Sequence, residues 1–238
     1  MKITLLAEGS TKWQRLVRHW GMSFLIDTDV LFDTFGKPCY IVKQLKRLKS
    51  DIQKIQHIII SHDDWDHLTG LWKVLELNKD AAVYVCPRFK ADIKEKIGLF
   101  GARLAEVDGV TNIRDNIYAS GELAGKRRDS DIPEQYLAVK TEEGVVVITG
   151  CAHPGIIDIV EHAKRTFGSE VRLLMGGFHL KDNSYDLNKA IVAKVKELGV
   201  RRVMPLHCTG AIARKIFREK YGDDCIILRE GQIITIVS

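Results

Sequence analysis

The stretch SHDDWDHLTG, residues 61–70, follows directly on the apolar run Ile58-Ile59-Ile60. Two histidines and three aspartates within six positions, at the edge of what reads as a buried strand, carry a large desolvation cost unless something compensates them. Divalent cations do so, because imidazole nitrogens and carboxylates are the ligands that Zn²⁺, Mn²⁺ and Fe²⁺ take. His62, Asp64, Asp66 and His67 converge only if the chain turns tightly after the strand, and Thr69-Gly70 lies where such a turn would feed a helix. Three further histidines stand in short glycine-bearing segments: His153 in GCAHPG, His179 in GGFHL and His207 in PLHCTG. Each comes just after an apolar run, where loops collect a site on one face of a scaffold.

Short strands and short helices alternate along the whole chain to carry these segments. Strands are expected over residues 2–6, 22–26, 30–33, 56–60, 83–86, 103–107, 116–120, 136–141, 145–149, 171–175, 202–204, 225–228 and 233–236. Asp27-Thr28-Asp29 and Glu142-Glu143-Gly144 read as hairpin turns. Helices are expected over 41–48, 88–99, 156–167, 185–198 and 211–221; Gly168 and Gly199 stop two of them. The inward stripe of the 185–198 helix is read as residues 187, 191, 195 and 198. The polar stretch 122–135, with Lys126-Arg127-Arg128, reads as a solvated loop, with a substrate-contacting lid as the alternative. Hairpins and βα units mix in both halves, which predicts sheets packed in the middle with helices outside.

At 238 residues the chain suits one domain, residues 1–238. No apolar run is long enough to span a bilayer, and the start MKITLLAEGS turns polar too early for a signal peptide, so a cytoplasmic protein without membrane contact is expected. Cys39, Cys86, Cys151, Cys208 and Cys225 are scattered and odd in number, which argues against a disulfide framework and a cysteine-only zinc site. The net charge of +5 is spread along the chain. It suits a small anionic substrate better than nucleic acid, which usually demands a concentrated basic stripe.

The segment His62-x-Asp64-x-Asp66-His67 resembles the H-x-H-x-D-H signature of the metallo-β-lactamase superfamily, and the GCAHPG, GGFHL and HCTG segments follow in that family's order. Gly21-Met22-Ser23-Phe24 and Phe32-Asp33-Thr34 are similar to segments of the branch that includes 7,8-dihydropterin-6-methyl-ribofuranosylaminobenzene-phosphate synthase. The resemblance covers nearly the whole chain. It implies a four-layer αββα sandwich of α/β (α+β) class, with one or two divalent ions between the sheet edges; zinc is the expected ion, manganese or iron the alternatives.

Carried over residue by residue, the resemblance has His62 and His153 hold the first ion and Asp66, His67 and His207 the second. Two positions depart from the pattern. Asp64 replaces the signature's second histidine; as a ligand it adds negative charge and favours harder ions such as Mn²⁺ or Fe²⁺. His179 stands where most of the superfamily has an aspartate that bridges both ions, and one imidazole nitrogen cannot bridge in that way. His179 would bind one ion, hydrogen-bond the substrate or donate a proton, and Asp182 is a second candidate for the missing carboxylate.

The chemistry implied is that of a metal-dependent hydrolase, in which metal-bound hydroxide attacks an ester or phosphoester. Asp66 would ligate and orient the nucleophile, and His179 would help to stabilise the developing charge. The alternatives are a transferase that joins a pterin diphosphate to an arylamine phosphate, and a metal-binding protein without catalysis. Other polar residues have ordinary readings. His57, His162 and His19 are expected in a strand, on a solvated helix face and in a loop. Cys151 and Cys208 read as small buried residues. Asp33 would orient a ligand from behind or bond loop backbone, and Trp65 would wall a pocket or pack beneath it.

Overall fold

A computed structural model describes residues 1–17, 19–127 and 130–237, so that Arg128 of the basic triplet lies outside the described residues. The first half of the chain runs β1 (Lys2–Gly9), α1 (Lys12–Leu16), β2 (Gly21–Ile26), β3 (Val30–Phe32), α2 (Tyr40–Arg47), β4 (His57–Ile59), α3 (Trp65–Leu68), α4 (Leu71–Leu77), β5 (Ala82–Val85), α5 (Ala91–Leu99) and β6 (Arg103–Glu106). The second half runs β7 (Thr111–Arg114), β8 (Ile117–Ala119), β9 (Leu123–Arg127), β10 (Ser130–Glu134), β11 (Leu137–Thr141), β12 (Gly144–Thr149), α6 (Ile156–Phe167), β13 (Val171–Gly177), α7 (Tyr185–Glu197), β14 (Arg202–Leu206) and α8 (Ala211–Tyr221). A last strand, β15 (Ile233–Thr235), returns to pair with β1.

Among the described residues one sheet has the order β15-β1-β2-β3-β4-β5-β6 and the other β14-β13-β12-β11-β8-β7. Side chains alternate across each strand, so each sheet feeds two cores. Met22, Phe24 and Ile26 of β2 meet Val146 and Ile148 of β12 between the sheets. Leu25 points the other way, into a layer with Ile41 and Leu45 of α2, Val74 of α4 and Ile97 of α5. Val145 and Val147 likewise face Ile159 and Val160 of α6, Val192 of α7 and Phe217 of α8. These are the four layers of an αββα sandwich. With both faces covered, the strands read as nearly unbroken apolar runs. Each fully buried Leu, Ile or Phe contributes about 1.5–3 kcal/mol.

β3 to β6 run parallel to one another, as do β12 to β14. Parallel strands send their carboxyl ends to one edge, and the loops that leave β4, β12, β13 and β14 carry the candidate histidines.

Three expectations need correction, and one strand comes without a signal in the sequence. Within the stretch read as a loop, β9 and β10 pair antiparallel as a two-stranded sheet outside both large sheets. Residues 225–228 form no strand: only Cys225 makes a single bridge, to Val203. On α7 Val195 is buried and Ile191 and Leu198 pack against the core as expected, but Leu187 is 49% exposed, and Asn188 and Val192 also face inward. Asn188 points inward because its amide donates to the Leu180 carbonyl at 3.2 Å. The short edge strand β7 adds Thr111–Arg114, which lack an apolar alternation to announce them. No helix among the described residues is long and apolar enough to cross a membrane.

Candidate metal centre

Four loops meet at the carboxyl ends of the strands. The first leaves β4 as Ser61-His62 and enters α3, which carries Asp66 and His67 on its buried side. The others bring His153 after β12, His179 after β13 and His207 after β14. The rings form a chain: His62 lies 4.2 Å from His67 and 5.0 Å from His153 between centroids, His67 lies 5.1 Å from His207, and His153 lies 4.4 Å from His179. Asp66 Oδ2 stands 3.2 Å from His207 Nε2 and 3.6 Å from His67 Nε2.

Three of the rings are held from behind. His67 Nδ1 meets Asp33 Oδ2 at 2.6 Å, His207 Nδ1 donates to the Gly9 carbonyl at 2.8 Å, and His62 Nδ1 lies 2.8 Å from Ser61 Oγ. Each therefore turns Nε2 toward the common centre. His62 Nε2, both ring nitrogens of His153, His179 Nδ1 and His207 Nε2 are buried without an aligned hydrogen-bond partner. Buried polar atoms are normally satisfied. Five orphaned imidazole nitrogens in one place are what a cation-binding centre requires, and the residues present fit one.

Electrostatics acts on the same rings in two directions. Burial, followed by the neighbouring imidazoles, holds His62 well below the ordinary imidazole pKa, so its lone pair is free. Burial also dominates at His153, in the same direction. Burial opposes ionisation of Asp66, but His67 and His207 outweigh it and hold the carboxyl well below the usual range. At His67 burial works against protonation, and the carboxylates of Asp33 and Asp66 overcome it, raising the pKa to about 10.

Donor atoms that lie within 4.8 Å of one another fall into three groups among the described residues: His62–Cys151–His153, His67–Cys151–His207 and Cys151–His179–Cys208. Asp64 stands at the edge, its Oδ2 3.8 Å from His62 Nε2 and 4.0 Å from His153 Nε2, and Arg127 from β9 grips both of its oxygens. His179 neighbours His153 rather than the His67–His207 pair. Asp182 is exposed and belongs to none of the three groups, so it does not supply the missing carboxylate there.

Backbone strain concentrates here. Asp33, Ala152, His179 and His207 all have positive φ (55°, 61°, 49° and 47°), a region that costs a non-glycine residue about 1–3 kcal/mol. Gly21, with φ 111°, lets α3 approach: a Cβ there would stand 1.9 Å from the Asp66 carbonyl oxygen.

Two glutamates, Glu134 buried and Glu8 partly buried, had no reading in the sequence. Glu134 accepts the backbone N–H groups of Cys151 and Ala152 on Oε1 (both 2.8 Å) and of His153 on Oε2 (2.7 Å), and so pins the GCAHPG loop. Glu8 accepts the His207 N–H at 2.9 Å and pairs with Arg214. Glu8 ends an apolar run as the motif aspartates do, which was a usable signal; Glu134, inside a polar strand pair, carried none. Glu134→Ala strands three N–H donors at about 1–3 kcal/mol for each buried group left unpaired. We expect it to lower the unfolding free energy by about 3 kcal/mol or more, with Glu134→Gln retaining part of that, as read by urea denaturation.

His162 is half-buried, its Nδ1 2.8 Å from Tyr136 Oη, and not simply solvated. His57 Nδ1 lies 3.0 Å from Tyr84 Oη, and His19 packs edge-on against Phe35 and Tyr40. Trp65 is 38% exposed and lies over Gly36, where a Cβ would come within 2.4 Å of its ring. Asp33 does both things considered for it: it holds His67 and accepts the Ser61 N–H at 2.7 Å. A cleft of about 340 Å³, lined by Lys126, His153, His179 and Asn183, opens beside the donors. Trp20 packs on His207, with Lys181 and Arg15 over its ring.

The family model described as beta-lactamase superfamily domain matches residues 28–117. An uncharacterized protein of Methanocaldococcus jannaschii, MJ0448, is 30% identical over 84% of this chain and 88% of its own. The solved structure of Tm1679, described as a metal-dependent hydrolase of the beta-lactamase superfamily, superposes over 100% of both chains with a TM-score of 0.80 and 27% identity. The chain belongs to the metallo-β-lactamase superfamily. Another M. jannaschii relative, 28% identical over 90% of this chain and 89% of its own, is named 7,8-dihydropterin-6-methyl-4-(beta-D-ribofuranosyl)-aminobenzene-5'-phosphate synthase. Metallo-β-lactamase membership accounts for the four layers and for a site at the strand ends. It does not decide the reaction, because one fold hosts many.

Proposed function

We propose that this chain is a metal-dependent hydrolase of small anionic phosphoesters. The observation that carries the reading is the convergence of His62, His67 and His207, each with Nδ1 held from behind and Nε2 turned inward. That orientation of imidazoles by outer partners is the way proteins prepare cation ligands. His62 and His153 would hold one ion, Asp66, His67 and His207 the other, and Asp64 would close the first position. Bound there, divalent cations supply Lewis acidity and make water nucleophilic near neutral pH.

The protein's own groups do the rest. Asp66, ionised and wedged between two imidazoles, orients the attacking water and accepts its hydrogen bond. His179, on the cleft wall, donates toward the oxygen on which charge develops. Lys126 on the cleft wall supplies positive charge, which favours a phosphate over a neutral ester. A cleft of about 340 Å³ suits a small molecule.

A second reading, transfer of a pterin diphosphate to an arylamine phosphate, is favoured by the relative that carries the synthase name. The two separate in one assay series. A generic phosphodiester with added Zn²⁺ or Mn²⁺ should be hydrolysed by this protein. Coupling of pterin diphosphate to an arylamine, without release of hydrolysed product, would favour the transferase. A metal-loaded protein that is silent on both would leave a metal-binding protein without this chemistry.

A further inference from the structure

Two donor groups, His62–Cys151–His153 and His67–Cys151–His207, share one member, Cys151. Its Sγ lies 3.4 Å from His67 Nε2. The residue is 4% exposed, so its sulfur faces the donors and not the solvent. The position is fixed: Glu134 Oε1 accepts the Cys151 N–H, and the adjacent Gly177 could not carry a Cβ without meeting Cys208 Sγ at 2.7 Å and Cys151 Cα at 3.4 Å. Independently, His62 Nε2 and His153 Nε2 are orphaned and buried in the first of the two groups, and both rings lie at 0% side-chain exposure.

The chemistry of the set lacks one element. Two cations side by side repel, and a shared anionic donor offsets that repulsion. His179 cannot serve, because an imidazole offers one lone pair in one direction, and this ring lies beside His153, Cys151 and Cys208 but shares no donor group with His67 or His207. A thiolate carries several lone pairs on one atom and binds two cations at once. We infer that Cys151 is the shared donor of the centre, its sulfur bridging an ion held by His62 and His153 and an ion held by Asp66, His67 and His207. With ions bound, the S–H proton would have left to solvent and the thiolate would be the donor available to both. The inference rests on the metal-centre reading above and deepens it by fixing metal class: a bridging thiolate selects thiophilic ions such as Zn²⁺, Fe²⁺ and Co²⁺ over Mn²⁺.

Cys208 has a different place. Its Sγ accepts the His179 N–H at 3.3 Å and lies 3.7 Å from the Cys151 carbonyl oxygen, so it ties two loops together and is a positioning residue.

Cobalt(II) substitution tests this, because a cobalt–thiolate bond gives an intense near-ultraviolet charge-transfer band that imidazole and carboxylate ligands do not. The wild-type protein should take up two cobalt ions and show the band; Cys208→Ala should keep it. Cys151→Ala should lose the band and retain at most one ion. Cys151→Asp should lose the band yet still bind two ions, which separates loss of the sulfur from failure to fold. Zinc-edge X-ray absorption of the wild type should show a sulfur shell at about 2.3 Å. A cobalt-loaded wild type without the band, or a band that persists in Cys151→Ala, overturns the inference and leaves the hydrolase reading standing. A wild type that binds no cobalt overturns both.

Discussion

Replacing Asp33 by alanine is expected to lower the unfolding free energy by about 3–5 kcal/mol, the usual cost of removing one partner from a buried ion pair. Asp33 is fully buried and its two oxygens satisfy three donors: the Ser61 N–H, the Ser61 hydroxyl and His67 Nδ1. Alanine leaves all three without a partner in a place water does not reach. It also frees His67 to rotate, and because Ser61 Oγ is the neighbour of His62 Nδ1, it loosens that ring as well. Zinc affinity should therefore fall about 10–100-fold. Denaturant titration and competition with a chromophoric chelator read the two effects. Asn, which keeps the shape and one acceptor, should recover part of each. Unchanged zinc affinity in Asp33→Ala would show that His67 is not a ligand.

The larger effect on metal is expected from His62→Ala combined with His153→Ala. These residues bring His62 Nε2 and both ring nitrogens of His153 to the centre without any protein partner. Losing two such donors should lower bound metal beyond the ~10–100-fold that a supporting residue costs. The fold should survive, because the side-chain hydrogen bond lost is that of His62 Nδ1 with Ser61 Oγ, while Ser61, Glu134 and their backbone contacts stay in place. Elemental analysis of the purified variant beside circular dichroism decides it. Unchanged metal content would contradict the assignment of these two rings.

What was legible in the sequence was local. His62, Asp64, Asp66 and His67 lie within one turn of chain, so a single strand exit brings them together, and α6 could be bounded because Gly168 stops it in the left-handed region. The residues that support the site were not legible, because their partners are remote. Glu134 acts on residues 17–19 positions away, and Glu8 acts on His207 across 199 positions. No spacing rule connects such pairs. The β9–β10 pair was read as a loop for another reason: it stands outside both sheets, so much of it faces solvent and the strands show little apolar alternation. On α7 Asn188 and not Leu187 takes the inward position, because its amide bonds a loop carbonyl.

The two halves of the chain each supply part of the donor set: His62, Asp66 and His67 come from the first sheet, His153 and His207 from the second. Neither half alone can chelate an ion in this way, so the centre comes into being only when the sheets dock. Any ion it holds then acts as a rivet across the seam, stabilising the docked state over the open one by mass action. Such a contact, absent while the halves are still apart, slows their parting and not their meeting, so the lifetime of the folded molecule becomes a function of metal supply.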